Sequence, residues 1–364
     1  MPKVVISGYY GFHNEGDEAM LYAIVNALRN RIPQLEIVVL SMDPAYTARQ
    51  FQVNSIHRDN PAHIWQALKK TDLLISGGGG LLQDVTGPNS ILYYLGIVML
   101  AKLMGKPVCF YGQGIGPVRT ALGRAMMKLI ANRVDFITVR DAASRVELEN
   151  LGVRRPPVHV TADPVLGLDS ARVDKARGKA VLKELGLDDR PVMGISVRPW
   201  KKLTAYRRVI ADLAGDYTRQ GFQVLIVPMH HSADLEVSRE IAKLVGKDCA
   251  VLDKNYNFLD LLEIIANLDV LIGMRLHFLI FGALLNVPIV GIAYDPKVSS
   301  FLELVDMPLG GYVESLEYEQ LSAVIKEVLD APEQVREKLK ARVKALRKEA
   351  LRGADLVEAM LKKY

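Results

Sequence analysis

The hexapeptide GMRLHF at positions 273–278 sets Arg275 and His277 two residues apart, between the apolar runs LDVLI and LIFGALL. A permanent cation and an imidazole directly after a buried strand are groups that can hold and protonate a small anion. The same half of the chain repeats the arrangement. SVRPW supplies Arg198, followed by Lys201 and Lys202; PMHHSAD supplies His230, His231 and Asp234; AYDPKVSS supplies Asp295, Lys297, Ser299 and Ser300. If these cations converge they form a pocket for a small, doubly charged anion, gripped by the planar guanidinium fork. Blander readings stand beside this one. Arg275 could sit in a buried ion pair with a carboxylate such as Asp269, and His277 could be a satisfied core histidine. The His230–His231 doublet favours the bland reading, because neighbouring side chains of an extended strand point opposite ways.

The first half offers glycines where the second offers cations. GYYGFHNEGDEA (8–19), SGGGGLLQD (76–84) and YGQGIGP (111–117) each follow an apolar run. Small residues at three strand exits would make one floor for a flat, extended ligand, with Gly78, Gly79, Gln83 and Gln113 along it; simple tight packing of loops is the alternative. Neither a GxGxxG spacing nor a Walker lysine is present. Asn14 is a candidate helix cap and also a candidate substrate-binding residue. Asp17 and Glu18 fall in the first helical turn, where acidic residues suit the macrodipole. Asp17 and Asp84 are also candidates for orienting or deprotonating a hydroxyl.

The elements that must position these residues alternate short apolar strands with helices of ten or more residues, which predicts parallel sheets covered on both faces. The alternation weakens between 163 and 190 and then restarts. The chain of 364 residues therefore divides into 1–170 and 171–364, two Rossmann-like lobes, with charged helices after Ser315 packing back over the junction. In such sheets ligands sit beyond the carboxyl ends of the strands, so the residues just after each strand carry the information. Half the residues are apolar and the net charge is +5, ordinary for a globular protein with a mildly basic surface. Cys109 and Cys249 read as buried, reduced thiols of a cytoplasmic protein. The start, MPKVVISGYYGF, reads as a strand and lacks the long apolar core of a signal peptide. No HExxH, cysteine pair at ligand spacing or GxSxG occurs, so no metal site is expected. Aromatic residues are scattered without the basic interleaving that nucleic acid requires.

NEGDEA, SGGGGLLQD, GQGIGP, ADP (162–164), GMRLH and YDPKV, in that order, resemble the polysaccharide pyruvyl transferases, most of all the branch acting on secondary cell-wall polymers. The resemblance spans about residues 1–300. It implies an α/β, GT-B-like fold with an interlobe cleft, the acceptor on the N-terminal lobe, and phosphoenolpyruvate on the C-terminal lobe as co-substrate without a further cofactor. By analogy Arg275, His277 and Lys297 bind the donor, with Arg198 as an additional carry-over. The implied acceptor is an N-acetylmannosamine residue on a lipid-diphosphate-linked disaccharide. The implied product is a 4,6-pyruvate ketal, in cell-wall polymer biosynthesis of the kind used for S-layer anchoring. In that chemistry His277 serves as the acid, and Asp17 and Asp84 attend the sugar hydroxyls. A lipid-linked acceptor suggests peripheral contact with the inner membrane face. Arg119, Arg124, Lys128 and Arg133 lie on or beside the helix expected at 121–134, whose apolar face includes Leu122, Met126 and Leu129; an ordinary core-facing helix is the alternative. Two rival functions remain: a nucleotide-sugar glycosyltransferase or epimerase of the same architecture, and a non-enzymatic two-lobed anion-binding protein. The oligomeric state is open.

Overall fold

A computed structural model describes residues 1–84 and 88–363. The chain forms two compact units. Unit 1 comprises Met1–Phe12, Asp17–Leu168 and Leu346–Tyr364, and unit 2 comprises His13–Gly16 and Asp169–Ala345. Two segments depart from a single division at 170. Residues 13–16 group with unit 2, and the last helix, Pro332–Leu361, belongs from Leu346 onward to unit 1.

Unit 1 is built on eight strands: β1 (Lys3–Ser7), β2 (Glu36–Ser41), β3 (Asn54–His57), β4 (Leu73–Ser76), β5 (Gly79–Leu82), β6 (Val108–Ile115), β7 (Phe136–Val139) and β8 (Val158–Val160). They run parallel in the order β3-β2-β1-β4-β6-β7-β8, with β5 added on β6. The central strands IVVLS, LLIS and FITV are buried along their whole length, as helices on both faces demand. Val5, Leu74, Leu95, Phe110 and Ile137 belong to the core beneath them. Each such side chain contributes ~1.5–3 kcal/mol by leaving water. Within unit 1 the returning helix places Gly353 against Tyr111, where a Cβ would approach the ring to 2.6 Å.

Unit 2 has six parallel strands, β9 (Val192–Ser196), β10 (Gln223–Ile226), β11 (Cys249–Val251), β12 (Val270–Gly273), β13 (Ile289–Ala293) and β14 (Leu309–Tyr312), in the order β11-β10-β9-β12-β13-β14. The apolar run 276–284 is a helix buried nearly all round, so its amphipathic signal is absent.

The segment expected as one helix over 121–134 is a short α-helix, Ala121–Met126, continued by a π-helical turn, Met127–Ala131. Its core face is Gly123, Met127, Ile130 and Ala131, whereas Leu122 and Leu129 are 58% and 49% exposed. The leucines expected on the apolar face therefore look outward, because the stripe one residue further on, Gly123, Met127 and Ile130, spaced i, i+4, i+7, is the one that faces the core. No helix among the described residues is long and apolar enough to cross a membrane.

Candidate active site

The strand orders locate one crevice in each unit. In unit 2 the chain lays β10 and β11 on one side of β9 and then returns to lay β12 on the other. The crossovers diverge at that point, and the carboxyl ends of β9 and β12 open a crevice between them. Met274 N–H donates to Ser196 O at 2.8 Å, which holds the two exits side by side. Arg198 stands two residues past β9 and Arg275 two residues past β12. Lys297 lies in the first turn of the helix Pro296–Val305, which Asp295 caps by accepting the Lys297 N–H at 3.0 Å.

Arg198 and Lys297 meet around Tyr294, and Arg275 acts on the same phenol. Arg198 Nη1 donates to Tyr294 Oη at 3.2 Å, and its guanidinium carbon is 4.8 Å from the ring centre. Lys297 Nζ is 5.2 Å from the same ring. The Trp200 ring packs edge-on against Tyr294 at 4.7 Å. Burial alone pushes the Tyr294 phenol up, but the charges of Lys297, Arg198 and Arg275 outweigh it and hold the phenol below its ordinary value. Arg198 and Lys297 thus concentrate positive charge at one buried phenol, with Asp295 3.9 Å from Lys297 Nζ. Sequence reasoning passed over Tyr294, although its place directly after β13 was a usable signal.

Arg275 also makes a buried ion pair, though not with Asp269. Its Nε donates to Asp234 Oδ2 at 2.9 Å and its Nη2 donates to Asp234 Oδ1. Asp234 is fully buried in the first turn of the helix His231–Val245 and accepts the His230 N–H at 3.0 Å as well. Asp269 instead accepts the Val192 N–H at 2.8 Å, tying β12 to β9 at its far end. The Nε/Nη2 edge of the fork is thus fixed, which sets the plane of the guanidinium; removing one partner of such a pair costs ~3–5 kcal/mol. Lys201 pairs with Glu314 at 3.3 Å and lies 5.2 Å from the Trp200 ring.

The histidines divide. His277 lies in the first turn of the helix Leu276–Leu284, half-buried, with its ring so close to Gly16 that a Cβ there would come 2.2 Å from Nδ1. Asn14 forms an isolated antiparallel bridge with His230, and Glu15 N–H donates to Met229 O at 3.0 Å. Burial, then Arg275, push the His230 imidazole down, against the opposing pull of Asp234. His231 bonds through Nε2 to Asp253 O at 2.7 Å. The doublet thus fixes the loop after β10.

In unit 1 the corresponding crevice lies between β1 and β4, where Gly77 N–H donates to Ser7 O at 2.8 Å. The glycines here chiefly admit protein. A Cβ at Gly8 or Gly77 would strike Tyr10 at 2.3 or 2.2 Å, and one at Gly78 would meet Met20 Sδ at 2.0 Å. Gly78 is therefore a packing glycine and not part of an open floor. Gly79 has φ +109° and brings its Cα against Asp17, whose Oδ1 a Cβ would approach to 2.8 Å. Glu18 is fully buried and accepts the Gly11 N–H at 2.8 Å, a structural use. Gln113 is buried too, and its Nε2 donates to Gly77 O at 2.5 Å and Ser76 O at 3.2 Å, stapling the β4 exit to β6. Gln83 follows β5, half-buried.

Asp84 departs from expectation. Its Oδ2 accepts from Thr120 N–H and Thr120 Oγ1, both at 2.7 Å, and both its oxygens accept the Arg119 N–H at 2.9 and 3.0 Å. Burial pushes this carboxyl up, but the Arg119 and Thr120 bonds together bring it below the usual carboxylate range. Such a carboxylate anchors a loop and is a poor base. The ADP tripeptide is also structural: Asp163 pairs with buried Arg140 at 3.2 Å and accepts the Val165 N–H.

Comparison with known proteins places this arrangement. The sequence profile of the polysaccharide pyruvyl transferase family matches residues 14–296. The amylovoran biosynthesis protein AmsJ of Erwinia amylovora is 22% identical, over 99% of both chains. Solved structures with the same fold include the UDP-GlcNAc 2-epimerase of Neisseria meningitidis bound to UDP-GlcNAc (TM-score 0.69, 12% identity, all of both chains). S. aureus MnaA with UDP (TM-score 0.67, 12% identity, 93% and 90% of the chains) and Anabaena HepE with UDP and glucose (0.68, 12%, all of both chains) match similarly. Those likenesses identify the two parallel-sheet units as a GT-B-like fold. With more than three quarters of its length matched by the family profile, the chain belongs to the polysaccharide pyruvyl transferase family.

Proposed function

We propose that the chain transfers the pyruvyl group of phosphoenolpyruvate to two hydroxyls of a sugar, forming a cyclic ketal and releasing phosphate. The observation that carries this reading is the pocket of Arg198, Arg275 and Lys297 around Tyr294. Phosphoenolpyruvate brings a carboxylate and a phosphate close together, about three negative charges, and charge-assisted hydrogen bonds contribute ~1.5–3 kcal/mol each. Protonation of the donor's methylene carbon makes the adjacent carbon electrophilic. One sugar hydroxyl adds there, a second displaces phosphate, and their two protons balance the methyl hydrogen gained and the proton on the departing phosphate. The chemistry needs an acid, a base and neutralisation of phosphate.

His277, two residues after Arg275, is the assigned acid, and Asp17 in unit 1 the assigned orienting group for a hydroxyl. Asp84 drops out, since its oxygens serve Arg119 and Thr120. The proposed acceptor is N-acetylmannosamine within a lipid-diphosphate-linked disaccharide, the product a 4,6-ketal for a cell-wall polymer. Exposed Leu122 and Leu129 beside Arg124 and Lys128 support peripheral contact with an anionic, cytoplasmic membrane face.

Incubation with phosphoenolpyruvate and the lipid-diphosphate disaccharide, followed by mass spectrometry, should detect one added pyruvate with loss of water. No adduct and no phosphate release would refute the reading. Because the solved structures above hold UDP or UDP-sugars, the same preparation is tested with UDP-sugars by thermal shift; stabilisation by those and not by phosphoenolpyruvate would favour a nucleotide-sugar enzyme.

A further inference from the structure

Arg198 is the cation of the unit 2 pocket that the protein leaves without a counter-ion. Among the described residues no carboxylate lies within ion-pair distance of it, whereas Arg275 has Asp234 and Lys297 has Asp295, 3.9 Å from Nζ. Its guanidinium bonds are long: Nη1 donates to Tyr294 Oη at 3.2 Å and Nε to Pro199 O at 3.4 Å. A long side chain so lightly bonded ordinarily samples many rotamers, and freezing it when a ligand arrives costs affinity. Aromatic rings hold it instead. The guanidinium carbon lies 4.8 Å from the Tyr294 ring centre and 5.5 Å from that of Trp200. The two rings meet edge-on at 4.7 Å, so they form one aromatic corner beside the cation.

The two rings are not anchored alike. Tyr294 is buried directly after β13, but Trp200 is half-buried on the turn that follows β9. In that turn Lys201 takes φ +50° and Leu203 N–H donates back to Trp200 O at 3.1 Å. The indole itself is tied by Glu314. Trp200 Nε1 donates to Glu314 Oε1 at 3.0 Å, and Lys201 Nζ donates to the same oxygen at 3.3 Å. Glu314 sits in the 3-10 turn Val313–Ser315, just past β14, and Val313 is buried beneath it. The edge strand of the sheet thus reaches the turn after β9. Burial pushes the Glu314 carboxyl up, but the bonds from Trp200 and Lys201 hold it below its ordinary value, so it accepts as a carboxylate. Glu314 is 46% exposed, and an ion pair that open adds little stability. Its bond to the indole gives it another use.

We infer that Glu314 is a positioning residue for the anion site of unit 2: acting through the Trp200 indole, it holds the Arg198 guanidinium ready for an arriving anion. Taking that anion to be phosphoenolpyruvate rests on the pyruvyl-transfer reading; the hold on Arg198 does not.

The test uses the full chain carrying Trp65→Phe, which leaves Trp200 as the remaining tryptophan. With no ligand added, Glu314→Ala should raise the quenching of Trp200 by acrylamide, and Glu314→Gln, which still accepts the indole N–H, should stay near the parent. Unchanged quenching in Glu314→Ala overturns the hold. Calorimetry with phosphoenolpyruvate and with inorganic phosphate follows. Glu314→Ala should weaken phosphoenolpyruvate about 3- to 10-fold, the cost of ordering one long side chain on binding. Its kcat should stay unchanged, and Glu314→Gln should restore most of the affinity. In an Arg198→Gln background Glu314→Ala should change nothing further, because its route to the anion is gone. Parent-like phosphoenolpyruvate affinity in Glu314→Ala, or the same loss in both backgrounds, would leave Glu314 a surface ion pair only. If Glu314→Ala does not fold, Trp200→Phe, which keeps a ring and loses the N–H, decides in its place by phosphoenolpyruvate affinity. Glu314-dependent binding of inorganic phosphate without binding of, or transfer from, phosphoenolpyruvate would sink the pyruvyl reading and keep this inference. Transfer from phosphoenolpyruvate with the donor KM of Glu314→Ala unchanged would do the reverse, and a parent that binds neither anion sinks both.

Discussion

Replacing Glu15 with Gln should make unit 2 less sensitive to alkali. Glu15 is 3% exposed, and its Oε2 has no hydrogen-bond partner among the described residues. It lies in a narrow crevice with His231, Lys254, Tyr256 and Leu261. A helix N-terminus normally favours the carboxylate. Here burial wins over the Phe258 N–H bond that opposes it, and the carboxyl is pushed from 4.5 up to about 8. The folded chain therefore keeps a proton that the unfolded chain loses. Below the unfolded value both states are protonated and nothing is lost. Between about 4.5 and 8 the unfolded state is stabilised by ionisation, and folding loses about 1.36 kcal/mol per pH unit. The full gap amounts to about 5 kcal/mol, of which about 3.4 kcal/mol is already lost at pH 7; above 8 the curve is flat. Glu15→Gln keeps the shape and removes the titration, so its advantage over the parent should grow from near zero at pH 5 to a plateau near pH 8. The two units need not unfold together, so the assay must watch one. The chain has two tryptophans; with exposed Trp65 changed to Phe, Trp200 reports unit 2. Urea unfolding followed at pH 5, 6, 7 and 8 then supplies the difference. A gap between variant and parent that stays constant across that range would refute the reasoning.

Arg275→Lys keeps the charge and loses both the fork and its two bonds to Asp234. The donor KM should rise about 10- to 100-fold, and steady-state kinetics with unchanged donor KM would contradict direct contact. Tyr294→Phe removes the phenol that Lys297, Arg198 and Arg275 hold below its ordinary value. The parent's pH–rate profile should then show an alkaline limb beginning below 10 that the variant lacks; superimposable profiles exclude the phenol as a titrating group of the pocket. Asp84→Ala should destabilise unit 1 by more than about 3 kcal/mol in urea unfolding, since several charged hydrogen bonds go at once, while donor KM stays put. A folded, fully stable variant with impaired turnover would restore Asp84 to the chemistry.

The alternation of strands and helices was readable because strands buried on both faces are written as local apolar runs: KVVIS, VLIG and IVGIA declare themselves within five residues. The edge strands of unit 1 did not. β3 (NSIH) and β8 (VHV) are half-exposed and have no such run. The glycine run misled for a related reason. A glycine records that something approaches closely, but not whether it is a ligand or, as at Gly77 and Gly78, Tyr10 and Met20.

The sequence by itself determined the order of elements, the two parallel-sheet units and the list of residues at strand ends, all properties of neighbours along the chain. Only the tertiary structure decided which of those residues meet. Arg275 finds Asp234 41 residues earlier, Arg198 reaches Tyr294 96 residues later, and Asp84 is spent on a loop 35 residues away. Hydrogen bonding and charge act through a few ångströms of space, and strand order, not chain distance, sets which side chains come that close.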